Sequence, residues 1–197
     1  SLLGIVTLSL LTRYLGPIGF SEYGIIFGFV GLLILLPDFG LSPLLIREIA
    51  AKREGKEYFA KIFTFRLVLS LSLLILASIG IFFFPYSSTV KVGILLATVA
   101  NIAILLSSLY WSLFQAFLTY KFIVLSQLIQ SILLVFLIFL GVSLQLPLLY
   151  FVVANIVAAL CMLLISYFLS PYKQLPFFWN KKEVFRIARQ AFPFAGW

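Results

Sequence analysis

The residues with chemistry to offer lie inside apolar stretches, where a polar group is costly unless it meets protein or water. Asp38 is the sharpest case, a carboxylate within the apolar run from Tyr23 to Ile46. On transmembrane insertion scales an Asp at a helix centre costs about 3 kcal/mol. At 3.6 residues per turn it shares one helix face with Gly24, Gly28, Gly31 and Ser42, so that face is either close-packed or lined by water. Two roles stay open for it. It is an ion-coupled carboxylate in a cavity, or it pairs with Arg47 or Arg66 or satisfies backbone freed by Pro37. The glycines read first as helix-packing positions.

Further along, Asn101, Ser108 and Gln115 recur every seventh residue beside Thr98 and Ser112, a polar stripe almost as long as a membrane span. Gln127 and Gln130 lie beside Ser126 and Ser131, and Asn155 precedes Ser166 by eleven positions. Taken singly, each reads as an interhelical hydrogen bond of about 0.6 kcal/mol. Taken together they predict a hydrophilic cavity. Arg13 ends the first apolar stretch and Arg66 enters a later one; the default for Arg near a helix end is to snorkel to the interface. Facing a cavity instead, a guanidinium suits a phosphate or diphosphate.

Other chemistries lack their parts. The chain has no histidine, a single cysteine (Cys161, within an apolar run), no GxxxxGK[ST] phosphate loop and no second carboxylate near Asp38 inside a span. Metal hydrolysis, histidine acid/base work and ATP hydrolysis are therefore not expected, and neither a metal nor a cofactor is assigned. No residue is put forward as catalytic.

The elements that must position these groups follow from composition. Of the 197 residues, 63% are hydrophobic and 10% charged, and the mean hydropathy is +1.20. A soluble domain has about a quarter of its residues charged. Six apolar segments recur, at Leu2–Leu15, Tyr23–Ile46, Ile62–Phe84, Val92–Tyr110, Phe122–Gly141 and Leu146–Leu169. Most approach the roughly 20 residues that cross a bilayer core of about 30 Å. The fold expected is all-α, a polytopic transmembrane bundle of about six spans. Gly16-Pro17 marks a reversal between the first two segments, and Pro37 and Gly40 a kink in the second.

Residues 1–169 are read as the six-span bundle. Residues 170–197 are read as a basic amphipathic cytoplasmic segment leading into a seventh span, with Asn180 and Glu183 as a loose capping box.

The formal charge of +8 is a matter of topology. Arg47, Lys52, Arg53, Lys56 and Lys61 fall in one loop, Lys121 in another, and Lys173, Lys181, Lys182, Arg186 and Arg189 in the tail, whereas the intervening loops are nearly bare. Short cytoplasmic loops collect such residues, so these connections are expected inside a plasma membrane, together with the amino terminus. Attraction to anionic membrane lipid accounts for the basic excess, and no nucleic-acid partner is expected.

Arg13-Tyr14-Leu15-Gly16-Pro17, followed by Phe20 and Tyr23, then Asp38-Phe39-Gly40-Leu41-Ser42 and Arg47-Glu48-Ile49-Ala50, resemble the start of the oligosaccharide flippases of polysaccharide biosynthesis. These belong to the multidrug/oligosaccharidyl-lipid/polysaccharide exporter superfamily. The resemblance implies that the chain is the amino-terminal portion of a protein of about 12 to 14 spans, supplying the first of two bundles around a central cavity that works by alternating access. It implies as cargo a polyprenyl-diphosphate-linked oligosaccharide moved from the cytoplasmic to the outer leaflet, with H+ or Na+ as a coupling cation. Arg13, Asp38, Arg47 and Glu48 match motif positions of that family. Lipid II flippases carry extra arginines on the first helix where this chain has Thr7, which argues against that cargo. The alternatives are an ion-coupled multidrug antiporter of the same superfamily, using Asp38, and a non-transporting membrane scaffold.

Overall fold

In hydrocarbon every backbone N–H and C=O must be paired within the segment, which leaves an apolar chain only helices or a closed barrel. The computed structural model describes residues 2–38, 41–51 and 55–172, except the side chains of 2 and 33–38. Its elements are α1 (Leu2–Asp38), α2 (Leu41–Ala50), α3 (Gly55–Gly80), a 3-10 turn (Ile81–Phe83), α4 (Ser88–Ala116), α5 (Lys121–Ser143) and α6 (Leu148–Leu169). There is no strand among the described residues. Five stretches in them are long and apolar enough to cross a membrane: Leu3–Leu32, Gly55–Phe83, Ser88–Ala116, Lys121–Ser143 and Leu148–Leu169. The chain is a helical transmembrane bundle.

The first of those stretches holds two of the six segments expected from the sequence. Gly16 interrupts α1 with φ 63° and ψ −176°, a combination essentially confined to glycine. Contacts on either side of it run in opposite directions. Before the break, the Tyr14 hydroxyl donates to the Leu146 carbonyl in the α5–α6 turn at 3.0 Å, while Leu11 packs deeper, against Ile138 and Phe151. After it, Glu22 accepts from Ser87 at the start of α4 at 3.1 Å, and Ile26 and Val30 pack progressively further along α4. The chain therefore turns back at Gly16-Pro17. At 1.5 Å per residue the arm from 17 to 38 is about 33 Å long and spans a bilayer core, whereas the arm from 2 to 15 reaches about 21 Å.

The expected second segment ran on to Ile46. Residues 39 and 40 lie outside the described residues; helix is described on either side of them, α1 to Asp38 and, for ten residues from Leu41, α2. α2 buries Leu41, Leu44, Leu45 and Ile49 against Phe59, Ile62, Leu109 and Leu113 at one end of the bundle. Arg47, Lys56, Lys61 and Lys121 lie on elements that meet at this end.

α4 is the central helix, touching α1, α2, α3, α5 and α6. Small residues let it approach α6 closely, with Ala100 and Ala103 against Ala159. Its start is fixed by Ser87, whose hydroxyl accepts from the Val90 N–H at 3.3 Å. Both ends of the α5 span are set by tight turns. After α4, the Thr119 N–H bonds the Phe114 carbonyl and Leu118 adopts φ 55°; after α5, the Leu146 N–H bonds the Gly141 carbonyl and Gln145 adopts φ 53°. These are Schellman terminations, built here on residues other than glycine. The tail from 173, including the expected amphipathic helix, lies outside the described residues.

Candidate functional site

Three of the polar residues singled out from the sequence meet at one place. Asn101, midway along α4, Gln130 on α5 and Asn155 on α6 line a cavity of about 210 Å³. The second arm of α1 contributes Phe27 and Gly31 to its wall, and α4 adds Ala97 and Ala100, whose small side chains leave the space open.

Two of the amides are held by their nitrogens. Asn101 Nδ2 donates to the Val30 carbonyl at 3.4 Å. Asn155 Nδ2 donates to the Phe151 carbonyl at 2.8 Å and lies 3.2 Å from the Tyr23 hydroxyl. A backbone carbonyl can only accept, so in each residue the bonded atom is the nitrogen. The amide oxygens of both, and the whole amide of Gln130, make no hydrogen bond to another described residue. No described residue lining the cavity carries a charge.

A family model for polysaccharide biosynthesis proteins matches residues 1–196. The chain belongs to that family. No curated protein and no solved structure matches it. A role in polysaccharide biosynthesis follows from family membership, and for this polysaccharide biosynthesis protein the cavity is where the polar residues of three helices come together within the bundle.

The other sequence-selected residues of the family member lie elsewhere. Thr98 and Ser112 are buried and, like Ser108, donate to carbonyls of their own helix: Ile94 at 2.7 Å, Ser108 at 3.0 Å and Leu105 at 2.8 Å. The stripe on α4 is thus largely satisfied along its own helix, and only Asn101 of it reaches the cavity. Gln115 is half-buried near the basic end of α4, Gln127 is exposed on α5, and Arg13 is exposed at the opposite end of the bundle. The side chain of Asp38 lies outside the described residues.

Arg66 behaves differently from the snorkelling default. It is 1% exposed, and its Nη1 lies 3.3 Å from Ser42 Oγ, which joins α3 to α2. A guanidinium drawn into protein rather than toward the interface is tolerated only where polar groups surround it. It is not among the residues lining the cavity. Gly24 and Gly28 are exposed with nothing within 4 Å of a built Cβ, so no described helix packs on them.

Sequence reasoning placed neither Tyr23, named in the family-like motif, nor Phe27 among the site residues. Their rings lie 4.5 Å apart between centroids, tilted by 40°, one supporting Asn155 and the other lining the cavity. Their i, i+4 spacing, continued by Gly31, was the available signal. Among the described residues no group of His, Cys, Asp and Glu gathers to hold a metal ion.

Proposed function

We propose that this protein is part of a flippase that carries a polyprenyl-diphosphate-linked oligosaccharide from the cytoplasmic to the outer leaflet of the plasma membrane for surface polysaccharide synthesis. The observation that carries the reading is the convergence of Asn101, Gln130 and Asn155 from three helices on a mid-bundle cavity in a polysaccharide biosynthesis protein. Polar residues within spans mark substrate pathways more readily than lipid-facing surface. On this reading the basic end, with Arg47, Lys56, Lys61 and Lys121, faces the cytoplasm. Alternating access would then expose the cavity to each leaflet in turn, with a coupling cation as the source of direction.

Among the described residues the lining offers no carboxylate that could exchange a proton or cation, so the antiporter alternative rests on Asp38, whose side chain lies outside them. The test is genetic. A strain lacking the full-length protein should lose surface polysaccharide and accumulate the lipid-linked oligosaccharide on the cytoplasmic face. Normal export from that strain refutes the flippase reading.

A further inference from the structure

We infer that the cavity between α1, α4, α5 and α6 is a subsite for a single uncharged sugar ring, and that it does not hold the diphosphate or a coupling cation. This deepens the flippase reading and rests on it.

The polarity of the lining argues for the ligand class. With the Asn155 NH2 taken up by the Phe151 carbonyl and the Tyr23 hydroxyl, and one N–H of Asn101 by the Val30 carbonyl, these two residues leave to the cavity both amide oxygens and a single N–H. Oxygens of that kind accept hydrogen bonds, and a sugar offers hydroxyl donors on every side of its ring. A phosphate is the reverse, a dense set of acceptors that needs N–H donors or cationic side chains. The described lining has no cation, and its spare side-chain donors are one N–H of Asn101 and the NH2 of Gln130, too few for a diphosphate. Gln130 retains both an oxygen and an NH2, so it can accept from one hydroxyl and donate to the next.

Size and shape agree. About 210 Å³ is the share of liquid occupied by roughly seven waters, and it is below the ~300 Å³ at which drug-sized pockets begin. One ring fits within that volume. Phe27, held by its contact with Tyr23, provides an apolar wall for the C–H face of such a ring. The alanines across from it add no polar group.

A cation is the competing occupant, since amide oxygens also suit Na+. The described lining has no carboxylate to neutralise it, and an ion at this depth costs more than a neutral ring without one.

The test uses the purified full-length protein in lipid nanodiscs, avoiding glycoside detergents. Its melting temperature is followed with the methyl α-glycosides of glucose, galactose and N-acetylglucosamine, with sodium pyrophosphate, and with NaCl exchanged for choline chloride. At least one glycoside should raise the melting temperature by several degrees at saturation. The shift should fall by more than half in Gln130→Leu, which removes an amide that bonds no described protein group, and in Asn101→Leu. The two variants should themselves melt within a few degrees of the parent.

Three results overturn the inference: no glycoside shifts the parent; the glycoside shift survives both substitutions; or the variants lose a pyrophosphate or sodium shift instead. Because binding is read without export, these results leave the flippase reading standing. Conversely, normal export without the protein refutes that reading whatever binds.

Discussion

Replacing Gly16 with alanine tests whether the reversal of α1 is a backbone requirement. A Cβ built on Gly16 meets nothing within 4 Å, so alanine there creates no clash. The whole effect must come from holding an L-residue at φ 63°, ψ −176°, a region that costs on the order of 1–3 kcal/mol outside glycine. Gly80 is the matched control. It too has open space around a built Cβ, but its φ of −60° and ψ of −36° are ordinary helix, where Gly→Ala gains roughly 0.5–1 kcal/mol. The two substitutions should thus move stability in opposite directions. At about 2–4 °C per kcal/mol for a chain of this size, Gly16→Ala lowers the melting temperature of the purified full-length protein by several degrees, and Gly80→Ala leaves it level or higher. A longer protein narrows the shift without changing its sign. If Gly16→Ala melts with or above the parent, the backbone at Gly16 is not the device that turns the chain.

The Schellman positions reverse that logic. Leu118→Gly and Gln145→Gly should each stabilise by about 1 kcal/mol, since an L-residue in the left-handed region costs 1–2 kcal/mol and glycine does not; unfolding in denaturing detergent measures it. Gly141→Ala should destabilise by about 1–3 kcal/mol in the same assay, because its Cβ would lie 2.7 Å from Tyr150 Cδ1 and 2.9 Å from Phe151 Cε1, both ring atoms. For Tyr23 and Asn155, a double-mutant cycle with Tyr23→Phe and Asn155→Leu should return a coupling of about 0.6 kcal/mol, and additivity would show that their 3.2 Å contact contributes nothing.

Much of the bundle was legible because the bilayer limits the choices. Apolar length located α3 to α6 to within a few residues, apart from the start of α3 and the end of α4, and Gly16-Pro17 marked the turn within α1. Both exceptions extend toward the basic end. There Lys56 and Glu57 interrupt the hydropathy signal, yet Phe59, Ile62, Leu113 and Phe114 bury against α2 and prolong the helices.

At the site, residue type and spacing pointed to Asn101, Gln130 and Asn155 but also to Ser108, Gln115, Gln127 and Arg13. Periodicity places a residue on a face of its own helix. It does not say which face meets a neighbour, and hydroxyls escape the test altogether by bonding their own turn, as Thr98, Ser108 and Ser112 do.

That distinction between hydroxyl and carboxamide bears on how a cavity can empty. A serine turned onto its own helix presents little to a ligand, whereas a carboxamide fixed by its nitrogen presents an oxygen held in a constant direction. Leaving such an oxygen without a partner costs about 1–3 kcal/mol, well short of the cost of a bare ion at the same depth. Asn101 and Asn155 direct these bonds to backbone carbonyls, so on the proposed reading binding and release would require no rebuilding of the helix contacts around them. On the proposed reading, a neutral site of this kind would hold its cargo weakly and let it go. In a transporter the cavity must bind on one side and release on the other, and the carboxamides are better suited to that than the buried guanidinium of Arg66, which ties α3 to α2 away from the cavity.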